Sequence, residues 1–402
     1  MKLKTVTNKQ NIFDTLFALL AFTLPLSFAL PNILLLLVFS LFVIKKNKER
    51  LNTYVKLVLL FGLFFILKAL FNKELSQNFF IYKHLIVFTA ISFLAFNIKN
   101  IILVKKTFVF GVLSAVLFSF FKITAYYVEN QSIPLGNTSE ATELLIIHRP
   151  YFGFICFLAI MCCSSLINEI KTSKQKVFYK LSIVLFIGFV YLIVARLALG
   201  LILIYLFILA FQQYKLSKKK IVLFVGLFSS LLFMLVINNK NLKKRLHIEN
   251  SFDKTIKVIA NQEPRVVIWG CFLGLIKKSD FNYLTGYKSI KSIQSDLNDC
   301  YKNTIENVSK NTYYQKTKFN THNQFLDFFL QGGLIGFLLF IIILGYSFYS
   351  NRFNFTTIFI IFSFVSFLLL ENLFHRQLGV YLIGIFIPLF MKRNVGKVLH
   401  GN

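Results

Sequence analysis

Apolar segments long enough to cross a lipid bilayer recur along the whole chain, and no other feature restricts its fold as strongly. A hydrocarbon core is about 30 Å thick, so a helix needs roughly 20 apolar residues to cross it. Helices satisfy their own backbone hydrogen bonds in lipid, and these segments are continuous, without the alternation of a transmembrane barrel. The sequence therefore predicts an all-α polytopic membrane protein, and its 56% share of hydrophobic residues agrees.

Polar breaks separate about twelve predicted transmembrane helices, placed by hydropathy. They are expected at residues 12–28, 30–44, 54–71, 79–96, 107–127, 150–169, 178–195, 197–213, 220–237, 326–349, 354–371 and 377–391. Helices 1–9 would lie within residues 1–237 and helices 10–12 within 326–391, with a cytoplasmic tail at 392–402. Between the two groups, residues 238–325 are predicted to form one large extracytoplasmic loop, periplasmic in a bacterium, that contains short helices.

The net charge of +29 comes partly from short basic clusters between the apolar segments. These clusters are residues 45–50, Lys105-Lys106, residues 171–176, residues 215–220 and Lys392-Arg393. Cytoplasmic loops of membrane proteins carry an excess of Lys and Arg. With a cytoplasmic N-terminus and one crossing per span, every cluster lies on the cytoplasmic side. The charge is therefore an orientation signal, and we predict membrane lipid, and no nucleic acid, as a partner.

The same topology places a set of ionisable side chains at or near the outer face of the membrane. They are His148, Arg149, Arg196, Arg265, His322, Glu371, His375 and Arg376. A charged residue costs on the order of 2.5–3.5 kcal/mol at the bilayer centre and less toward its edge, so each needs an explanation. One explanation is snorkelling of a side chain at a helix end. The other is that these groups bind or act on a charged substrate.

Three arginines in this set fit the second explanation. Arg196 lies between two apolar segments that leave almost no loop, and Arg265 follows Pro264 at a predicted helix start, on one side of that helix with Trp269. A guanidinium is always charged and binds oxyanions in a bidentate way. Arg196 and Arg265 are therefore candidates to hold a phosphate of a lipid-linked substrate. Arg149 is either a third such cation or an interfacial anchor.

His322 is the candidate for proton transfer, because histidine titrates near neutral pH. It directly precedes an apolar segment, where a lone histidine also commonly serves in packing or capping, and Asn323 is a residue type that caps helices. The sequence contains no H-E-x-x-H, no P-loop and no G-x-G-x-x-G. These absences argue against protease, ATPase and dinucleotide-binding functions and are consistent with a site without metal or cofactor.

The segment that begins at His322 fits the pattern H-[NSQ]-x9-G-x-x-[GTY], and on this basis the chain resembles the O-antigen ligase family. Asn323, Gly333 and Gly336 occupy the other fixed positions. Further landmarks of the family occur in the same chain order. They are an Arg between adjacent central spans (Arg196), an R-x-x-x-W element in the large loop (Arg265 to Trp269) and a Glu followed by Gln-Leu-Gly (Glu371, Gln377, Gly379). The similarity covers roughly residues 145–390.

The resemblance implies a multi-pass protein of the bacterial inner membrane with an active site that faces the periplasm. Members of the family move a glycan from undecaprenyl pyrophosphate to lipid A–core or to another growing glycan. By this resemblance Arg196 and Arg265, with Arg149 as a weaker candidate, would bind the pyrophosphate, and His322 would be the catalytic base. Supporting roles would fall to Glu371, Asn323, Trp269 and Arg376.

The implied reaction is a single, metal-independent displacement with inversion, which needs one base instead of the paired carboxylates of retaining enzymes. A ligase for lipopolysaccharide biosynthesis is slightly favoured over the alternative, an O-antigen or exopolysaccharide polymerase of the same superfamily. A transporter or flippase of lipid-linked glycan is less favoured. Transporters place ionisable groups near the bilayer midplane, whereas here these groups collect on one face.

Two cysteines, Cys271 and Cys300, lie in the predicted large loop. A disulfide between them would require an oxidising compartment, as outside the cytoplasm. Their spacing matches no disulfide framework, so the sequence leaves their pairing open.

Overall fold

The computed structural model describes residues 2–44, 51–76, 79–131, 143–214 and 263–392. The longer regular elements in these ranges are helices, which we number in chain order. They are α1 (Lys2–Thr23), α2 (Leu30–Ile44), α3 (Thr53–Phe71), α4 (Phe79–Phe96), α5 (Ile101–Asn130), α6 (Arg149–Glu169), α7 (Ser173–Leu192), α8 (Arg196–Tyr214), α9 (Pro264–Leu275), α10 (Ile290–Thr304), α11 (Val308–Thr317), α12 (Gln324–Ser350), α13 (Phe355–Leu368) and α14 (Gln377–Lys392). A short 3-10 turn, Leu373–His375, separates α13 from α14.

Among the described residues, five helices are long and apolar enough to cross a membrane, namely α3, α5, α6, α7 and α12. Shorter apolar helices occupy further predicted spans at α2, α4, α8, α13 and α14. The prediction of a helical membrane protein is therefore confirmed. The total of about twelve spans stays a prediction from hydropathy, and the span at 220–237 lies outside the described residues.

The first predicted span, 12–28, differs from the structure. Helix α1 ends at Thr23 and is followed by a turn that contains Pro25. Proline has no N–H to donate to the preceding helical turn, and its ring clashes with the carbonyl four residues earlier. The apolar character continues through this turn, so hydropathy alone placed the boundary too late.

The described chain divides into two compact units. The first contains the described residues within 1–13, 35–99 and 260–402, and the second contains those within 14–34 and 100–259. In the first unit α3 packs against α12 and α4 packs against α14. Phe328 of α12 lies at the centre of its aromatic core, with ring centroids 5.1 Å from Phe61, 4.8 Å from Phe340 and 5.0 Å from Phe374. Each such pair stabilises by about 0.5–1.5 kcal/mol beyond its buried area.

The described helices between residues 263 and 323, where the sequence predicts the large loop, have a core of their own within the first unit. Ile268 and Phe272 of α9 pack with Leu297 and Tyr301 of α10. Cys271 and Cys300 form a disulfide that joins the same two helices. The pairing that the sequence left open is therefore present, and it fixes α9, which carries Arg265 and Trp269, to α10.

In the second unit α6 is buried along most of its length and packs against α5, α7 and α8. Gly153 of α6 lies against Ala195, since a Cβ on Gly153 would be 2.4 Å from the Cβ of Ala195. This close approach places Ala195, the residue before α8, against the second turn of α6.

The turn before Arg196 has an unusual backbone. Val194 adopts a left-handed φ of 55°, which is rare for a β-branched residue. Its N–H donates to Tyr191 O at 3.2 Å, and the N–H of Ala195 donates to Val190 O at 3.2 Å. This is the Schellman arrangement that commonly ends a helix at glycine. It lets α8 begin at Arg196 almost directly after α7 ends.

Candidate functional site

Arg265, His322 and Glu371 lie together in the first unit, although they are far apart in the sequence. Arg265 is in the first turn of α9, His322 precedes α12, and Glu371 follows α13. Glu371 Oε1 is 3.7 Å from Arg265 Nη2, and Glu371 Oε2 is 3.7 Å from His322 Nδ1. These separations suit ion pairs and exceed ordinary hydrogen-bond lengths. The carboxylate of Glu371 therefore bridges the predicted base and one predicted phosphate ligand.

Each of the three side chains is partly accessible from outside the unit. The exposed fractions are 22% for Arg265, 28% for His322 and 14% for Glu371. A substrate can therefore reach them without opening the core, while partial burial lowers the local dielectric and strengthens their mutual electrostatic interactions.

The position of His322 depends on an uncommon backbone conformation. Its φ is 45°, in the left-handed region that histidine occupies more often than most residues but still at an energetic cost. The side chain of Asn320 accepts a hydrogen bond from the His322 N–H at 3.1 Å. With Nδ1 directed at Glu371, the Nε2 atom is the ring nitrogen left to accept a proton from a substrate.

Arg265 interacts with two carboxylates. Besides Glu371, it forms an ion pair with Glu263, and its Nη2 donates to the carbonyl oxygen of Leu370 at 2.9 Å. With a neutral His322, the net charge of Arg265, Glu263, Glu371 and His322 is −1. Arg265 by itself therefore does not create an anion-binding site. Any pyrophosphate bound here needs further cations or a shift of one carboxylate.

Asn323 and Trp269 support the backbone on either side of His322. The side chain of Asn323 caps α12 and accepts from the N–H groups of Phe325 at 3.0 Å and Leu326 at 3.2 Å. The indole N–H of Trp269 donates to Thr321 O at 3.1 Å. Both residues lie in the predicted site, and their observed contacts position the backbone around His322.

A second polar cluster lies one turn into α12, and of its members only His375 was singled out from the sequence. The Oδ2 atom of Asp327 accepts from Gln324 at 3.2 Å, from Gln331 at 2.8 Å and from His375 Nε2 at 2.9 Å. Gln324 also accepts from the N–H of Phe374 at 2.9 Å. The turn that follows Glu371 is thus fastened to the helix that follows His322. Positions 324, 327 and 331 lie on one face of the helix and form a polar stripe on an otherwise apolar segment. This pattern in the sequence could have predicted the cluster.

Burial lowers the pKa of His375, but the Asp327 carboxylate outweighs this effect, so the pKa stands above its ordinary value of 6.5. Arg376, which is exposed, is the cation that acts against the carboxylate and lowers the pKa of the ring. Arg376 was predicted to support the site. In the structure its charge lowers the pKa of His375.

The raised pKa of His375 predicts how stability depends on pH. The folded state binds this proton more tightly than the unfolded state, so the stabilisation is complete below the unfolded pKa and is lost as pH rises through the folded pKa. We expect the Tm of the protein in lipid nanodiscs to fall as pH rises above 6.5, the ordinary pKa of histidine, toward the raised pKa of His375, and His375→Gln to remove part of that slope. If the Tm of His375→Gln falls with pH as steeply as that of the wild type, other groups control the pH dependence of stability.

Helix α12 is interrupted at Gly333, whose φ of 59° and ψ of −158° are not helical. A loop of the first unit supplies the missing hydrogen bonds. The N–H of Leu334 donates to Tyr283 O at 2.8 Å, and Leu330 O accepts from the N–H of Tyr287 at 2.8 Å. The motif glycine therefore marks a broken membrane helix whose first half begins next to His322.

Lys68 of α3 completes this junction. Its ammonium group donates to Tyr287 O at 2.7 Å and to the carbonyl oxygens of Thr285 and Gln331. These three acceptors match its three N–H donors, and the cation lies at the C-terminal, negative end of the first half-helix. Sequence reasoning missed this residue, although a lysine inside the predicted span 54–71 is itself unusual.

The remaining predicted residues, Arg149 and Arg196, belong to the second unit. Each is the first residue of its helix, where the helix dipole favours anions, and Arg149 is buried while Arg196 is partly exposed.

Within the described ranges, no three His, Cys, Asp or Glu side chains are grouped as metal ligands would be.

Residues 181–341 match the family model described as O-antigen ligase. The matched segment includes Arg196, Arg265 and His322 together with the motif glycines, so the resemblance drawn from the sequence pattern is confirmed. No curated protein matches the chain.

Proposed function

We propose that the chain, whose residues 181–341 match the family model described as O-antigen ligase, is an inverting glycosyltransferase that moves a glycan from undecaprenyl pyrophosphate to an acceptor hydroxyl such as one of lipid A–core. The observation that carries the proposal is the Glu371 carboxylate, 3.7 Å from both His322 and Arg265. It joins a proton acceptor to a cation, the two groups that such a displacement needs.

In the proposed reaction His322 is the general base. Glu371 faces Nδ1 and favours the tautomer in which Nδ1 carries the proton, so Nε2 is free to remove the proton of the acceptor hydroxyl. The new bond forms between the acceptor oxygen and the anomeric carbon as the bond to the pyrophosphate oxygen breaks. The electron pair of that bond leaves with the pyrophosphate, and the configuration at the anomeric carbon inverts.

The leaving pyrophosphate gains negative charge, which fixed cations stabilise in a partly dry site. Arg265 is one such cation, but Glu263 and Glu371 already offset its charge. By the resemblance to the family, we assign the remaining positive charge to Arg196 and Arg149, both at helix N-termini. This division of roles leaves Arg265 to position the leaving group while Glu371 positions the base.

The proposed place of action is the periplasmic side of the bacterial inner membrane. The Cys271–Cys300 disulfide supports this placement, since disulfides persist in oxidising compartments such as the periplasm. The disulfide lies in the loop that the basic clusters independently predict to be extracytoplasmic.

The function is tested with purified protein in nanodiscs, an undecaprenyl-pyrophosphate-linked glycan and two acceptors offered separately. Transfer to lipid A–core would establish a ligase, and transfer onto a second lipid-linked glycan a polymerase. Arg196→Ala is expected to lower kcat/KM for the donor by about 100-fold, the usual effect of removing an electrostatic stabiliser. The exposed Arg352→Ala is the matched control. No cleavage of the carrier with either acceptor would contradict the proposal and favour a transporter.

Glu371→Gln separates positioning of the base from binding of the donor. We expect kcat to fall roughly 100-fold, within the range that positioned acid–base groups contribute. The donor KM is expected to stay constant or fall, because removing one negative charge leaves more of the Arg265 charge for pyrophosphate. Glu263→Gln removes the other carboxylate of Arg265 but does not touch His322, so its kcat is expected to stay near the wild-type value. A raised donor KM with unchanged kcat in Glu371→Gln would assign Glu371 to binding instead.

A further inference from the structure

The segment that leads from α11 to α12 holds an aromatic side chain against His322. Lys318 and His322 both have left-handed φ angles, 51° and 45°, so the chain turns sharply twice within this segment. Between them the carbonyl oxygen of Phe319 accepts from Tyr301 Oη and from Gln294 Nε2, each at 3.2 Å. The backbone of Phe319 is therefore fastened to α10, and its ring centroid lies 5.5 Å from that of His322.

A second ring extends this contact to the surface of α11. The ring of Tyr313 lies 5.6 Å from that of Phe319, and 56% of Tyr313 is exposed. Buried Tyr314 supports the pair, with its ring 4.9 Å from Phe319. We call Tyr313, Phe319 and the imidazole of His322 the aromatic strip. It runs continuously from an exposed ring to the proposed base.

The core of the large loop does not require an exposed Tyr313, because Tyr301 and Tyr314 already fill that core. An alternative role is anchoring at the membrane interface, where Tyr is common. Helix α11 lacks the apolar face that an interfacial helix needs, since its sequence is VSKNTYYQKT. Lys316 and Lys318 beside the strip are exposed. The surroundings therefore suit a polar ligand with an apolar face.

A sugar ring has this character, because one of its faces presents C–H groups while hydroxyl groups surround its rim. The apolar face packs on an aromatic ring, and the rim hydroxyls remain available to polar side chains and water. We propose that the aromatic strip is the acceptor subsite, where Tyr313 and Phe319 bind the acceptor sugar and direct one of its hydroxyls toward His322. This inference rests on the proposed function and adds the residues that select the acceptor.

The subsite predicts a change in acceptor binding that is separate from donor binding. Tyr313→Ala is expected to raise the acceptor KM about tenfold, equivalent to about 1.4 kcal/mol, and to leave the donor KM unchanged. Tyr313→Phe keeps the ring and should rescue the acceptor KM that Tyr313→Ala raises. Phe319→Leu keeps apolar volume without an aromatic face and should resemble Tyr313→Ala. The controls are Val308→Ala, at an exposed apolar position on the same helix, and Tyr349→Ala, at an exposed aromatic position elsewhere.

A binding measurement keeps this inference distinct from the proposed function. Two probes are titrated by calorimetry into protein in nanodiscs without donor: core oligosaccharide released from lipopolysaccharide, and glycan released from the lipid carrier. Binding of either probe that weakens about tenfold in Tyr313→Ala supports the subsite, even if the wild-type protein transfers no glycan. The probe that binds identifies the source of the acceptor. Failure of both to bind, or equal binding by Tyr313→Ala, overturns the subsite even if transfer is observed.

Discussion

His322→Asn is expected to reduce glycan transfer by about 1,000-fold at neutral pH, within the range that a general base contributes. Asparagine is also enriched in the left-handed backbone region, so this variant retains the φ of 45° that His322 requires. It lacks a group that accepts a proton near pH 7. The loss should appear in kcat, measured by single-turnover transfer with saturating donor and acceptor, while the donor KM stays near the wild-type value.

A structural loss at this position would have a different signature. His322→Ala lacks both the base and the preference for a left-handed backbone, so its Tm is expected to fall relative to His322→Asn while its transfer rate is equally low. His375→Gln is a histidine control, since His375 donates to Asp327 and is placed outside the proton transfer. Transfer by His322→Asn within about tenfold of wild type would assign the base to another residue.

The parts of the site that the sequence predicts correctly depend on local signals. Pro264 marks the start of α9, and Asn323 caps α12 as expected for its residue type. Arg265 and Trp269 were expected on one side of a helix, and both support the region around His322. Helix starts, caps and shared helix faces depend on residues only a few positions apart, because local backbone geometry determines them.

The parts that the sequence does not predict depend on distant residues. Lys68 donates hydrogen bonds to the loop of Thr285 and Tyr287, and it is 217 residues from Thr285 in the sequence. Asp327 and His375 are separated by 48 residues. Tertiary packing alone determines such pairs. A single sequence records only the residue types, so Lys68 was noticeable as a charge in an apolar span without a partner to explain it.

The broken helix joins the fold to the site. Its first half begins at Gln324, directly after His322 and the Asn323 cap, and carries Asp327, which binds the turn after Glu371. Lys68 and the loop at 283–287 close the gap at Gly333. A displacement at the break therefore moves the helix start that positions His322 relative to Glu371. This is a physical reason for the glycine in the motif that begins at His322.

Gly333→Ala is accordingly expected to destabilise the protein strongly. A Cβ at this position would lie 2.3 Å from the carbonyl carbon of Leu284 and 2.5 Å from the nitrogen of Thr285, both backbone atoms that cannot rotate away. The φ of 59° adds strain for any residue with a side chain. We expect a loss of about 3 kcal/mol or more, combining overpacking and backbone strain. Thermal unfolding in nanodiscs measures it.

Gly345→Ala provides the matched control, since it makes the same chemical change in the same helix. Beyond its chain neighbours and the nearby backbone of its own helix, no heavy atom lies within 4 Å of a Cβ at Gly345, and its backbone is helical. Alanine there should stabilise the protein by about 0.5–1 kcal/mol through helix propensity. If the break also positions His322, residual folded Gly333→Ala should show a lower kcat below its Tm, whereas Gly345→Ala should retain full transfer. Equal effects of the two substitutions on Tm would mean that α12 is continuous at Gly333 in the membrane.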